Sequence, residues 1–208
     1  MTTRGRFIAL EGGEGVGKST QLSALAEALR ARGIDLIVTR EPGGSEGGEK
    51  IRELLLTGAE ERWSPEAEAL LFAAARADHV DKVIKPALLA GRWVLSDRFV
   101  DSSLAYQGGA GGLGIDRVRE INAFGINDCF PDRTLVLALT EGGARARARD
   151  NEGSDRIGGR PENYHQRVDL AFRQIAADEP DRVRIVDASG EPEAVTQRLL
   201  DSISDLLP

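Results

Sequence analysis

The sequence is poor in cysteine, in histidine and in long apolar runs. Its one cysteine, Cys129, excludes an internal disulfide framework and is typical of a reducing compartment. Two histidines and one cysteine are too few for a usual structural zinc site. The longest apolar stretch, residues 69–75, is far shorter than the roughly 20 residues of a membrane span, and residues 7–10 are too few for a signal peptide. We therefore expect a cytoplasmic protein with no membrane partner.

Lysine is also scarce, although positive charge as such is not. The chain carries 34 acidic and 27 basic residues, a net charge of −7, and only 4 of the bases are lysines. An acidic balance disfavours a broad basic face, so we expect no nucleic-acid partner. Arginine binds phosphate well because its planar fork donates two parallel hydrogen bonds. Codon bias would give the same excess of arginine, so composition alone leaves a phosphate-binding role open.

Apolar segments of strand length alternate with segments of helical periodicity. This order predicts an α/β fold in which a five-stranded, mostly parallel sheet is flanked by helices. No linker divides the 208 residues, so we expect one domain over residues 1–208. The predicted strands are 7–10, 36–39, 93–96, 134–139 and 183–186, and the predicted helices are 18–32, 64–90 with a bend at Pro86, and 192–207.

A glycine-rich segment follows the first predicted strand and opens the first helix. Residues 12–19 read GGEGVGKS and match G-x-x-x-x-G-K-[ST] in full, in the context that identifies a P-loop. Its backbone N–H groups can turn toward phosphate oxygens, while Lys18 would reach the β- and γ-phosphates of ATP and Ser19 would ligate Mg²⁺. The alternative is a glycine-rich turn without a ligand. The predicted ATP-binding residues are Gly12, Gly13, Glu14, Gly15, Val16, Gly17, Lys18, Ser19 and Thr20.

Asp97 and Arg98 follow the third predicted strand. At the carboxyl end of a strand beside the P-loop strand, Asp97 can hold Mg²⁺ or its waters, and Arg98 would point into the crevice where open α/β sheets bind ligands. A surface ion pair is the alternative. Residues 101–108 come next and bring hydroxyl groups, an amide and an aromatic ring close together.

Phe72 and Arg76 lie four residues apart on the long predicted helix and therefore share one face. A ring that stacks on a base and a guanidinium that bonds its edge would suit a nucleobase pocket. Judged from the helix alone, the simpler interpretation is favoured, in which Phe72 belongs to the core and Arg76 extends into solvent.

Taken together, these segments resemble the bacterial thymidylate kinases. The resemblance covers nearly the whole chain, and the combination of its blocks is more specific than the P-loop alone. The blocks are residues 11–12 leading into the P-loop, 39–44, 72–76, 84–88, 97–99 and 102–108.

The resemblance implies a role for each residue of the base and sugar pocket. Phe72 would stack on thymine, and Arg76, Ser103 and Gln107 would contact the polar edge of the base. Tyr106 would pack under the deoxyribose, where a 2′-hydroxyl would crowd it.

For the phosphates, the resemblance implies that Arg98 holds the thymidylate phosphate, helped by Arg40 and Arg52. Glu14 would lie near the sugar 3′-hydroxyl and the metal, and Asp97 would support Mg²⁺ or the phosphoryl acceptor. The reaction would be in-line transfer of the γ-phosphoryl group of ATP to dTMP, giving dTDP, and the enzyme would be a homodimer.

The resemblance also implies a P-loop kinase fold with a short mobile lid at about residues 145–160. In one branch of the family, the P-loop itself carries a basic residue, but residues 13–16 here are Gly, Glu, Gly and Val. The sequence therefore looks like the branch whose lid supplies arginine. Of the four lid arginines Arg145, Arg147, Arg149 and Arg156, we expect Arg149 and Arg156 to be catalytic.

Three other functions remain open from the residues. A kinase acting on another nucleoside monophosphate or on a metabolite would use the same P-loop. A nucleotide-dependent switch is disfavoured because the Asn-Lys-x-Asp block that reads guanine is absent. An esterase would use Ser45 within Gly43-x-Ser45-x-Gly47, but no strand directly precedes that serine and we expect a loop there.

Overall fold

A computed structural model describes residues 4–139 and 155–208. Its sheet has five parallel strands in the order β2-β3-β1-β4-β5, which confirms the predicted α/β fold, with every pairing parallel. The strands begin and end within two residues of the predicted bounds. They are β1 (Phe7–Gly12), β2 (Leu36–Arg40), β3 (Trp93–Asp97), β4 (Arg133–Ala138) and β5 (Val183–Asp187).

Helices connect the strands within the described residues. Two π-helical turns, Val80–Ile84 and Leu104–Ala110, and two short 3-10 turns, Glu60–Arg62 and Ser204–Leu206, add to them. The α-helices are α1 (Lys18–Ala31), α2 (Glu46–Leu56), α3 (Pro65–His79), α4 (Lys85–Leu89), α5 (Val100–Ser103), α6 (Ile115–Ile126), α7 (Glu162–Asp178) and α8 (Pro192–Asp201). None of the described helices is long and apolar enough to cross a membrane.

The long predicted helix is interrupted just before Pro86. Ser64 caps α3 as expected, since its Oγ accepts a hydrogen bond from the N–H of Ala67 at 3.2 Å. The chain then passes through the π-helical turn into α4. Proline lacks the N–H that an α-helix needs and crowds the preceding turn, so a wider turn at this point is physically reasonable.

Ser45 is the N-cap of a helix, so the loop predicted at residues 43–47 ends at Ser45, and the prediction is wrong for residues 46 and 47. The Ser45 Oγ accepts a hydrogen bond from the N–H of Gly48 at 3.1 Å and donates one to Asp78 Oδ2 at 2.6 Å. Helix α2 starts at the next residue, Glu46. A helix-capping hydroxyl that is already bonded at both ends is not the exposed nucleophile of an esterase.

Apolar residues fill both sides of the sheet. Alternate residues of β1 point to opposite faces, so Phe7 belongs to one core cluster and Ile8 to the other. The first cluster includes residues of α6 and α7, and the second includes residues of α1 and α8. In the strand order, β1 lies between β3 and β4, so the order of the strands reverses direction at β1. Ligands of open α/β folds bind at the carboxyl ends of the strands at such a point.

Candidate active site

The loop between β1 and α1 has the backbone conformation of a phosphate cradle. Gly12, Gly15 and Gly17 have φ values of 137°, 71° and 90°, a region that favours glycine. A Cβ on Gly12 would lie 2.5 Å from the carbonyl oxygen of Leu137, so no larger residue fits there. Helix α1 begins at Lys18 without a side-chain cap, so the N–H groups of its first turn are available to an anion.

Lys18 folds back over this loop. Its Nζ donates hydrogen bonds to the carbonyl oxygens of Gly13 at 2.6 Å and Gly12 at 3.1 Å. Burial and then the charge of the Arg98 guanidinium, against the opposing effect of Glu14, lower the pKa of Lys18 to about 8. A polyphosphate in the cradle would stabilise the charged ammonium and so raise this pKa.

Arg98 joins the end of β3 to the cradle. Its φ is 67°, a left-handed conformation that is uncommon outside glycine. One guanidinium nitrogen donates to the carbonyl oxygen of Gly12 at 3.2 Å and to Ser102 Oγ at 3.1 Å, and the other donates to Glu14 Oε1 at 2.8 Å. The guanidinium also lies 5.1 Å from the centre of the Tyr106 ring.

Glu11 fixes the segment that carries Arg98, a role that the sequence reasoning missed. The side chain is fully buried and accepts hydrogen bonds from the N–H groups of Phe99 at 2.8 Å and Ser102 at 3.0 Å, and from Ser102 Oγ at 2.6 Å. Burial raises the pKa of Glu11 to about 7, opposed mainly by Arg98. An acid that ends an otherwise apolar buried strand is the only sequence signal for this role.

Asp97 and Ser19 supply oxygen ligands of the kind that Mg²⁺ prefers. The register pairs Asp97 with Leu10, next to the start of the P-loop. Its Oδ1 is buried and has no hydrogen-bond partner among the described residues. No group of three or more His, Cys, Asp or Glu side chains in the described parts of the chain could hold a metal. Mg²⁺ usually takes one or two carboxylates together with substrate phosphates, so this donor set fits it.

A cavity of about 90 Å³ opens next to Arg98. It lies between α2, α3 and the segment from α5 into the second π-helical turn. Eight of the nine residues predicted to bind the substrate line it, namely Glu14, Arg52, Phe72, Arg76, Arg98, Ser103, Tyr106 and Gln107.

Arg76 is buried at one wall of this cavity, so the interpretation that it extends into solvent is wrong. Only 2 % of the residue is exposed. Its Nε donates to Glu41 Oε2 at 2.7 Å, one terminal nitrogen donates to Ser103 Oγ at 3.0 Å and to Asn122 Oδ1, and the other donates to the carbonyl oxygen of Phe99 at 3.1 Å. An unpaired buried guanidinium would be costly, so these partners are what allow it to lie there.

Glu41 is a second residue that the sequence reasoning missed. Its buried carboxylate binds Arg76 through Oε2 and accepts a hydrogen bond from His79 Nδ1 through Oε1 at 2.9 Å. The other ring nitrogen of His79 is 2.7 Å from Thr39 Oγ1. This chain of polar contacts ties β2 to α3 behind the cavity and holds the Arg76 guanidinium in place.

The chain is similar in sequence and in fold to known proteins. A sequence model described as thymidylate kinase matches residues 10–199. The thymidylate kinase of Rhizorhabdus wittichii is 58 % identical over 206 residues, which cover 98 % of this chain and 99 % of that one. The thymidylate kinase of Bradyrhizobium diazoefficiens is 49 % identical over 209 residues, which cover 99 % of this chain and 92 % of that one. The crystal structure of thymidylate kinase from Ehrlichia chaffeensis superposes with a TM-score of 0.78 at 29 % identity. The superposition covers 97 % of this chain and 99 % of that one.

The chain belongs to the thymidylate kinase family. It is an ATP-using kinase that phosphorylates dTMP to dTDP, and the predicted family, fold and activity are confirmed.

Arg40 is the one predicted substrate residue that does not line the cavity. It is exposed and pairs with Glu49, with Nη2 3.1 Å from Oε1. Arg52 does line the cavity and donates to the carbonyl oxygen of Pro42 at 2.7 Å. Burial and the nearby charge of Arg40 lower the pKa of Arg52, against the opposing effect of Glu49.

Most of the expected lid at residues 145–160 lies outside the described residues, including Arg145, Arg147 and Arg149. Arg156 is described and buried. Its Nε donates to the carbonyl oxygen of Leu55 at 2.7 Å and its Nη2 to Glu68 Oε2 at 2.5 Å. Glu68 is a further buried acid to which the sequence reasoning assigned no role.

Proposed function

We propose that donor and acceptor phosphates meet at Arg98, with ATP in the P-loop and dTMP in the adjoining cavity. The observation that carries this is the position of the Arg98 guanidinium, which lines the cavity and also bonds the Gly12 carbonyl of the P-loop. Arg52 adds a second cation to the cavity wall, and Arg40 lies near enough for its charge to lower the pKa of Arg52. Two phosphate anions repel each other, so cations at their meeting point lower the cost of bringing them together.

The acceptor in this reaction is a phosphate oxygen that is already anionic, so the transfer requires no general base. Catalysis then consists of holding the two phosphates in line and neutralising charge that spreads over the transferred group. Lys18 must leave the carbonyl oxygens of Gly12 and Gly13 to reach the β- and γ-phosphates. Residues 12–20, including the exposed Thr20, would supply backbone and side-chain contacts to ATP.

Mg²⁺ would be held by Ser19 and Asp97 together with the phosphates of ATP. When bound, the ion would neutralise charge on the β- and γ-phosphates. The unpartnered Oδ1 of Asp97 supports this assignment, because a buried carboxylate oxygen without a hydrogen bond is costly in the absence of a cation. Glu14 lies at the boundary of cradle and cavity, paired with Arg98, where the sugar 3′-hydroxyl and the metal shell would also lie.

The types of residue that line the cavity would suit a pyrimidine deoxynucleotide. Phe72 offers a ring face for the base, and Arg76, Ser103 and Gln107 offer polar groups for its edge. Tyr106 lies under the Arg98 guanidinium, so a sugar that is attached to the bound phosphate would pack on its ring. An added 2′-hydroxyl would crowd that ring.

The lid is proposed to supply the arginine that the P-loop lacks. Residues 13–16 carry no cation, so any positive charge on the γ-phosphate beyond that of Lys18 and Mg²⁺ must come from outside the P-loop. Arg149 and Arg156 remain the proposed donors. A catalytic Arg156 would have to exchange its bond to Glu68 for one to ATP when the lid closes. Closure of the lid would also exclude water from the transferred group.

We also propose that residues 1–208 form one domain and that two copies pair. All five strands, from residue 7 to residue 187, lie in one sheet, which supports a single domain. The side chains of Leu54, Leu70 and Phe124 are exposed by 39, 56 and 95 %, on α2, α3 and α6. Helix α3 packs against both α2 and α6, so these apolar side chains lie on neighbouring helices and offer a surface that a second copy would cover.

An assay of ADP release tests the site assignment. Wild-type enzyme with ATP and Mg²⁺ is expected to turn over dTMP faster than dUMP, UMP and AMP. Lys18→Ala is expected to abolish the transfer while leaving the fold intact, and Lys50→Ala, an exposed lysine on α2, serves as the matched control. Near-normal turnover by Lys18→Ala would overturn the P-loop assignment, and faster turnover of another monophosphate would overturn the base pocket.

A further inference from the structure

Glu68 accepts a hydrogen bond from Gln107, one of the residues proposed to contact the base. It is on α3 four residues before Phe72 and eight before Arg76, so all three follow one line along the helix. Its side chain is buried to all but 4 %. Oε1 accepts a hydrogen bond from Gln107 Nε2 at 3.0 Å, and Oε2 accepts one from Arg156 at 2.5 Å and one from Arg160 at 2.7 Å.

The chemistry of this carboxylate decides how the Gln107 amide is turned. Two guanidinium groups on Oε2 stabilise the negative charge, and an ionised carboxylate can only accept hydrogen bonds. Gln107 must therefore present its NH₂ group to Glu68. The amide carbonyl oxygen is then the hydrogen-bond acceptor that Gln107 keeps available for a ligand, and Gln107 lines the cavity next to Arg98.

We propose that Glu68 is a positioning residue for base specificity, because it keeps the Gln107 carbonyl oxygen turned toward the base. This inference rests on the proposed placement of dTMP in the cavity. Thymine and uracil carry an N–H between their two carbonyl groups, and that N–H would donate to the Gln107 oxygen. Cytosine has a bare ring nitrogen at the same place, and two facing acceptors repel.

The two carboxylate oxygens of Glu68 bind different partners, and this supports the proposal. A residue that served only to hold Arg156 and Arg160 would need Oε2 alone. Here Oε1 is directed at an amide from the second π-helical turn, about forty residues away in sequence. Left without this partner, the Gln107 amide could rotate by 180° about its last bond and exchange its oxygen and nitrogen.

The test is the selectivity of Glu68→Gln, a variant of the same shape that can donate as well as accept. An amide at residue 68 can pair with either orientation of Gln107. We expect the ratio of kcat/KM for dTMP to that for dCMP to fall by about tenfold, which is the effect of reversing one buried hydrogen bond. Glu66→Gln, exposed on the same helix, is the matched control and should leave the ratio unchanged. A purely structural role would lower both values of kcat/KM equally.

A double-mutant cycle tests whether Glu68 acts through Gln107. In a Gln107→Ala background, Glu68→Gln should have no further effect on the dTMP to dCMP ratio. A ratio that is unchanged in folded Glu68→Gln, or that changes as much without Gln107 as with it, overturns the proposal.

A measurement on the wild-type enzyme covers the case in which Glu68→Gln does not fold. dTMP methylated at N3 lacks the N–H, and we expect it to compete with dTMP at least about tenfold more weakly than unmodified dUMP does. Equal competition would overturn the role of Glu68. Near-normal turnover of dTMP by Lys18→Ala would instead overturn the proposed function.

Discussion

Replacing Glu11 by glutamine removes a fully buried negative charge while keeping the shape of the side chain. Glutamine can still accept the N–H groups of Phe99 and Ser102 through its oxygen, and its NH₂ group can donate to Ser102 Oγ. Burial raises the pKa of Glu11 to about 7, with Arg98 lowering it and Asp101 raising it. The charged form is therefore a source of instability that the Glu11→Gln variant lacks.

The sign and size of the effect follow from proton binding. In the unfolded chain, Glu11 loses its proton near its ordinary pKa of 4.5, whereas the folded protein keeps the proton up to about pH 7. Between these values the folded state holds the extra proton, so the free energy of unfolding falls as pH rises, by about 1.4 kcal/mol per pH unit. From pH 5.5 to pH 8, the wild-type protein should lose about 2 kcal/mol through this group.

Urea unfolding followed by the fluorescence of Trp63 and Trp93 measures this directly. All pH values stay above the isoelectric point of about 5.0. We expect the stability of Glu11→Gln relative to wild type to increase by about 2 kcal/mol from pH 5.5 to pH 8, and Glu27→Gln, exposed on α1, to show no such trend. A constant offset from altered hydrogen bonds leaves the trend intact. A difference that is flat across this range would refute the reasoning.

Four further substitutions test other parts of the site and the surface. Tyr106→Ala should relax the preference for dTMP over its ribonucleotide counterpart, and unchanged selectivity would show that the ring does not exclude a 2′-hydroxyl. Arg149→Ala or Arg156→Ala should lower kcat about 10³-fold, the size of effect seen for arginine fingers, and the lid assignment fails if neither slows the chemical step. Phe124→Asp should halve the mass in sedimentation, because it places a charge in the proposed dimer surface; a wild-type monomer would contradict that surface.

The P-loop and the sheet could be predicted because their signals are local. Residues 12–19 are contiguous, and the glycines that the cradle needs are set by backbone sterics within the same loop. The strands are short apolar runs whose burial on both faces follows from their composition. The interruption of the long predicted helix just before Pro86 also has a local cause, since it follows from the missing N–H of one residue.

Arg76 shows where local reasoning fails. From the helix alone it was interpreted as a solvent-exposed side chain, because a charged residue on a helix is usually exposed. Its burial depends on Glu41, Ser103 and Asn122, which come from three other segments of the chain. No pattern on α3 contains that information.

The sequence by itself determined the fold class, the phosphate cradle and the family, since each depends on residues that are neighbours in the chain or on blocks in a fixed order. Only the tertiary structure decided what Glu11, Glu41 and Glu68 do. Each is a buried acid whose role depends on the donors that other segments bring to it. A carboxylate cannot remain buried without such donors, and chain folding rather than sequence spacing supplies them.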